Sequence, residues 1–134
     1  SIAIQEIAAT DFEEYREVNE LILQGRKLGS DVLIAEATDS KCYDTVVISK
    51  AADAMLAMSG IEASFVLAKN TQGFISISAR SRSKLNVQRI MEELGGGGHF
   101  NLAAAQIKDS TLSEAGEKLT EIVLNEIKEK EKEE

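Results

Sequence analysis

The chain has 134 residues, of which 43% are hydrophobic and 28% charged, with a formal net charge of −8. That is the length of one domain with a single core and the composition of an ordinary globular protein, and no apolar run approaches the roughly 20 residues a membrane span requires. The acidic balance argues against counterion-driven binding to long nucleic acids, and the single cysteine, Cys42, cannot form an internal disulfide.

The opening stretch, SIAIQEIAAT, lacks signal-peptide features, and with the lone thiol it predicts a cytoplasmic setting, Cys42 serving as a small, partly buried apolar side chain. Thr10 and Glu13 then have capping-box spacing, and Phe12, Tyr15, Val18, Asn19 and Ile22 recur at helical spacing up to a stop at Gly25. The apolar run 31–38, DVLIAEAT, predicts a strand. Val46, Val47 and Ile48 favour a strand in the next segment, but its length decides for a helix. Val47, Ala51, Ala54, Met55 and Met58 share one face of that helix, Asp44 caps it and Gly60 ends it, with the methionines as core filler.

Segments 63–70 (ASFVLAKN) and 73–80 (GFISISAR) flank a turn-rich NTQG and predict an antiparallel hairpin. Alternation in the second strand puts Phe74, Ser76 and Ser78 on one face and Ile75, Ile77 and Ala79 on the other, and its end delivers Ser78 and Arg80 near the sheet edge. Asn86 caps a helix whose Val87, Ile90, Met91 and Leu94 form an apolar stripe. After a glycine run, Ala103 to Ile107 predict a short strand, and Thr111 with Glu114 opens a long terminal helix marked by Leu119, Ile122, Val123 and Ile127. The closing KEKEKEE reads as a solvated end. Together these elements predict an α/β fold: a mixed central β-sheet of about four to five strands flanked by helices, with a long C-terminal helix.

The stretch LGGGGHFNLAAAQI, 94–107, carries the functional argument. A flexible linker is one reading of four glycines. They come straight off an amphipathic helix and lead into an apolar strand, however, with no polar spacer. The favoured reading is a shaped loop in which glycine admits positive φ and backbone N–H groups converge on an anion. His99, the only histidine, adds a directional donor, and Arg80 and Ser81 close the site from the strand end. A satisfied structural histidine is the bland alternative. The surroundings are basic: between Glu62 and Glu92 there is no acidic residue, while Lys69, Arg80, Arg82, Lys84 and Arg89 fall there. That confined positive charge points to one short anionic partner. A P-loop would need Lys-Ser/Thr after the last glycine, and a dinucleotide fingerprint would need a strand before the first; neither is present. With no second histidine and no compact carboxylate motif, nothing here activates water.

Residues 75–107, ISISARSRSKLNVQRIMEELGGGGHFNLAAAQI, resemble the C-terminal DHH-associated domain of the DHH phosphoesterase superfamily, with weaker similarity over about 31–125. Within it, AADAMLAMSGIEASFVLAK and NVQRIMEELGGGGH look most like the membrane-anchored cyclic-di-AMP phosphodiesterases of the GdpP type from Gram-positive bacteria. The resemblance implies a helix or linker over 1–30, the DHH-associated domain over 31–128 and a charged tail over 129–134. It implies a substrate-binding lobe that holds a phosphate or nucleotide through Ser78, Arg80, Ser81, Gly95, Gly96, Gly97, Gly98 and His99, with Asn86 a weaker candidate already explained as a helix cap. No catalytic or metal-ligating residue is assigned. Two Mn²⁺ ions are expected in a separate N-terminal DHH lobe, whose Asp-His-His motif this sequence lacks, so the chain is expected to be inactive alone. Expected partners are a cyclic or short linear dinucleotide, the DHH lobe and a second copy in a homodimer; direct contact with the membrane is not expected. The alternatives are a lobe of an oligoribonuclease or RecJ-like exonuclease, and a non-catalytic nucleic-acid-binding appendage.

Overall fold

A computed structural model describes residues 2–133, with side chains described from residue 12 onward. Its elements in chain order are α1 (Ile2–Ile22), β1 (Gly25–Leu28), β2 (Val32–Glu36), α2 (Thr45–Leu56), β3 (Ala63–Lys69), β4 (Ile75–Ser81), α3 (Val87–Glu93), β5 (Gly97–Gly98), β6 (Leu102–Ile107) and α4 (Leu112–Glu133). The strands form one mixed sheet in the order β1-β2-β3-β4-β6-β5. Only β2 and β3 pair in parallel. A parallel pair needs a crossover, and α2 supplies it.

Alternation along the central strands sorts two cores. Val32, Ile34, Phe65, Leu67, Ile75 and Ile77 point toward α3 and α4, where Ile90, Met91, Leu119 and Val123 meet them. On the opposite face Ala35, Val66 and Ala68 pack against Val47, Ile48, Ala51 and Met55 of α2 and Leu21 of α1. Two buried faces explain why β3 reads as a nearly unbroken apolar run rather than an alternating one.

The α/β class, the mixed sheet and the long terminal helix agree with expectation, but the sheet has six strands rather than four to five. The two extra strands are its edges. β1 reads GRKL, with charged and exposed residues that suit an edge strand and show no apolar alternation. β5 is two glycines. The first helix already runs from Ile2, so Thr10 lies within it rather than at its start, and the Thr10 side chain is outside the described residues. α2 stops at Leu56, which leaves Met58 beyond the helix and 42% exposed instead of on the buried face. Cys42 is an exposed free thiol, not a partly buried one. The charged end is helical as far as Glu133, held by pairs such as Lys130–Glu133 at 3.5 Å.

The other three predicted caps form. Asp44 accepts from the Val46 N–H at 2.9 Å, Asn86 from Arg89 at 3.2 Å, and the Thr111 hydroxyl from Glu114 at 3.1 Å. These bonds satisfy amides that a helix start leaves without partners.

Candidate functional site

β4 brings polar side chains into a position where a sheet interior normally holds apolar ones. Ser76, Ser78 and Arg80 face α2 and are nearly buried, Ser78 and Arg80 being 5% and 7% exposed. Thr45, Ser49 and Asp53 recur every fourth residue along α2, so they form a polar stripe on an otherwise apolar helix. The stripe meets the strand. Ser49 Oγ lies 3.3 Å from Ser78 Oγ, and Asp53 Oδ1 accepts from Arg80 Nε at 2.7 Å. Arg80 also donates through Nη1 to its neighbour's carbonyl, Ala79 O, at 2.9 Å.

α2 covers β3 and β4, and the next strand is left open. Leu102, Ala104 and Gln106 of β6 are exposed on this face, opposite Arg80, Ser78 and Ser76 in the ladder. A trough of about 290 Å³ results, lined by Thr45, Ser49, Ser78, Gly96, Ala104 and Gln106. Its floor is small residues and its wall hydroxyls. One ladder step further lie Arg80 and its cross-strand partner Leu102, where the tight β5–β6 turn begins at His99. The His99 imidazole is exposed and makes no hydrogen bond or ion pair among the described residues.

The glycines serve the fold more than expected. Gly95 ends α3 with φ +85°, donating to Glu92 O at 3.1 Å, and Gly96 donates to Met91 O at 2.8 Å. A Cβ on Gly96 would run into Ala104 O and lie 2.6 Å from Ala105 Cα; one on Gly98 would lie 2.6 Å from Ala103 Cα. These residues are glycine, and Ala103 to Ala105 are small, because two backbones touch there. The N–H groups of Gly95, Gly96 and His99 are engaged within the chain and do not converge on an open anion site. Gly97 alone has neither a positive φ nor an atom within 4 Å of an added Cβ, and it pairs with Ala104 beside the trough.

A nest of amides does exist, and the protein fills it itself. The Glu62 carboxylate, 8% exposed as a residue, accepts through Oε2 from the N–H groups of Arg82, Ser83, Lys84 and Leu85 at 3.1–3.4 Å. Four successive donors on one oxygen anchor the loop after β4.

Ser81 has a different place from the one expected. Alternation turns it to the face opposite Arg80, where it is 3% exposed and its hydroxyl donates to Phe100 O at 3.1 Å. Asn101 Nδ2 returns bonds to Ser81 O at 3.2 Å and Arg82 O at 2.6 Å. Ser81 therefore clamps the β5–β6 turn, and its hydroxyl does not join Arg80. The basic stretch is likewise used internally. Lys69 meets Asp39 at 3.4 Å, Arg80 meets Asp53, and Arg89 meets the buried Glu126 at 3.6 Å. Arg82 donates to Ile61 O and Leu56 O at 2.9 and 2.7 Å. Three of its five cations thus meet acids from distant parts of the sequence, and Arg82 is held by backbone carbonyls. Among the described residues no three His, Cys, Asp or Glu side chains are gathered to hold a metal ion, and no helix is long and apolar enough to cross a membrane.

Of the predicted residues, Ser78, Arg80 and Gly96 meet on one face, with Gly97 and His99 at its rim. Thr45, Ser49, Asp53 and Gln106 complete it and were not expected from the sequence. The every-fourth-residue polar stripe on α2 was the signal that could have found the first three.

The DHHA1 domain model matches residues 29–130. A cyclic-di-AMP phosphodiesterase GdpP from Geobacillus thermodenitrificans is 38% identical over 92% of this chain and 19% of its own length. The cyclic-di-AMP phosphodiesterase PdeA of Listeria monocytogenes is 39% identical over 89% of this chain and 18% of its own. The chain thus spans about a fifth of these relatives. The fold also matches an exopolyphosphatase-related protein from Bacteroides fragilis with a TM-score of 0.66 at 18% identity, over 87% of this chain and 38% of that one. The chain belongs to the DHHA1 domain family.

Proposed function

We propose that this chain is the substrate-holding lobe of a cyclic-di-AMP phosphodiesterase and that its trough takes cyclic-di-AMP or the linear product pApA. The observation that carries the reading is the half-covered polar face of β4. There a nearly buried arginine stands at the end of a hydroxyl-lined trough whose other wall is open to a ligand. A guanidinium and a row of hydroxyls are unusual inside a sheet, since each must be hydrogen-bonded to offset desolvation. The names of the relatives supply the substrate class.

In this arrangement Arg80 contacts a phosphate with its unpaired Nη2, and the exposed His99 adds a second donor from the turn. The hydroxyls of Thr45, Ser49 and Ser78 face the sugar, and the flat floor of Gly96 and Ala104, with Gly97 at its rim, lets the ligand approach the backbone. These groups position and neutralise the phosphodiester without breaking it. Hydrolysis would fall to a separate metal-bearing lobe, to which two Mn²⁺ ions would supply an activated water; among the described residues no three His, Cys, Asp or Glu side chains are gathered to hold such an ion. Membrane anchoring likewise belongs to the longer protein.

NMR titration of the chain with cyclic-di-AMP, pApA and AMP tests the proposal. Shifts are expected at Thr45, Ser49, Ser78, Gly97, His99 and Ala104, with Arg80→Ala weakening pApA binding about tenfold, the scale of one charge-assisted hydrogen bond. Saturable shifts confined to another face, or no binding, would overturn it.

A further inference from the structure

We propose that Asp53 is a positioning residue for Arg80: it holds one edge of the guanidinium so that Nη2 is presented to a phosphate in the trough. This deepens the proposed function and rests on it. The Arg80 side chain is 9% exposed and that of Asp53 61%, so the carboxylate reaches in from solvent to meet a cation already largely inside. The contact runs through Nε at 2.7 Å, and Nη1 is occupied by Ala79 O at 2.9 Å. Nη2 makes no hydrogen bond among the described residues and is not sealed from solvent.

A guanidinium is a rigid planar fork, so two fixed donors fix the direction of the third nitrogen. Arginine otherwise carries considerable rotamer freedom, and a ligand would lose affinity in ordering it; here the order exists beforehand. Asp53 also carries a negative charge, which opposes an incoming phosphate. At an exposed carboxylate, water and salt screen that opposition, whereas the geometry it imposes on Arg80 is unscreened. Orientation therefore outweighs repulsion.

Affinity for pApA, melting temperature and exchange of the Arg80 Nε proton are measured for the wild-type chain, Arg80→Ala, Asp53→Ala and Asp53→Asn. Asp53→Ala is expected to weaken binding about tenfold and to speed exchange of the Nε proton. Asp53→Asn keeps an oxygen acceptor and is expected to stay within about threefold of wild type, because orientation and not charge is required. Both variants should melt within a few degrees of wild type. Wild-type or tighter affinity in Asp53→Ala, with Arg80→Ala weakened, overturns this inference and leaves the proposed function standing. So does an Asp53→Asn chain as weak as Asp53→Ala, or an Asp53→Ala chain that unfolds, which makes the carboxylate structural. Indifference of binding to Arg80→Ala, or no binding by the wild-type chain, overturns the proposed function together with the inference.

Discussion

Glu62 and Gly97 illustrate how far individual residues can depart from their sequence neighbourhood. Glu62 marks the start of the acid-free stretch, and there its carboxylate accepts from the four amides at 82–85. Removing the side chain leaves those donors, which are partly buried, to find water or go unpaired. Glu62→Ala is expected to destabilise the chain by about 2–3 kcal/mol, the range for hydrogen bonds to a charged group. Glu62→Gln, which keeps one acceptor oxygen, should lose less. Urea unfolding monitored by circular dichroism measures both, and equal losses would show that the charge alone matters. In the glycine run the reasoning is reversed. Gly96 is filled by β6, so Gly96→Ala must push two backbones apart and is expected to cost about 1–3 kcal/mol. At Gly97 the space is open and φ ordinary, so Gly97→Ala should change stability by less than about 0.5 kcal/mol while weakening pApA binding. A Gly97→Ala chain as destabilised as Gly96→Ala would refute that division.

Among the elements, legibility tracked the apolar signal. The central strands and the three capped helices were readable because Val32, Phe65 and Ile77 are buried and the caps Asp44, Asn86 and Thr111 are local in sequence. β1 and β5 were not, since an edge strand such as GRKL needs only backbone pairing with β2, and two glycines carry no side-chain pattern at all. The same physics limits the reading of the β5–β6 hairpin. Four adjacent glycines suggest freedom, but their use depends on Ala103 to Ala105 lying against them, a contact that forms only when the hairpin closes. Ser81 and Arg80 adjoin in sequence and separate in space because strand neighbours point to opposite faces. The candidate site was therefore half visible: Ser78, Arg80 and the glycine–histidine segment could be named, and the α2 stripe opposite them could not be paired with them before the crossover was known.

Across the whole molecule, three of the charges that look like a local basic field, Lys69, Arg80 and Arg89, are balanced by Asp39, Asp53 and Glu126, each brought in by the fold. Charge pairing of this kind also ties α1 to the domain. Lys41, in the loop before α2, contacts Glu17 at 3.1 Å and Glu20 at 3.0 Å, and Tyr43 donates its phenolic hydrogen to Glu20 at 3.0 Å. The hydrogen bond from Lys41, then that from Tyr43, holds the Glu20 carboxyl below its ordinary value of 4.5. A carboxylate whose folded pKa is depressed contributes stability that is present above its unfolded pKa and is lost as pH falls through the folded one. Lys41 has the opposite sense: its ammonium is held above the ordinary 10.5, chiefly by the Glu20 hydrogen bond, so its contribution is full below 10.5 and is lost as pH rises past the raised value. The docking of α1 should accordingly be constant between about pH 5 and 9 and weaken below 4.5. Hydrogen exchange at residues 15–22, corrected for intrinsic rates, is expected to show protection falling in acid there before it falls at 64–67 in the middle of β3, whose buried side chains make no ion pair. Glu20→Gln should remove that acid dependence while leaving α1 helical. If α1 and β3 instead lose protection together and the variant behaves as wild type, the helix is held by Leu21 and its apolar neighbours, and the ion pairs contribute nothing to its attachment.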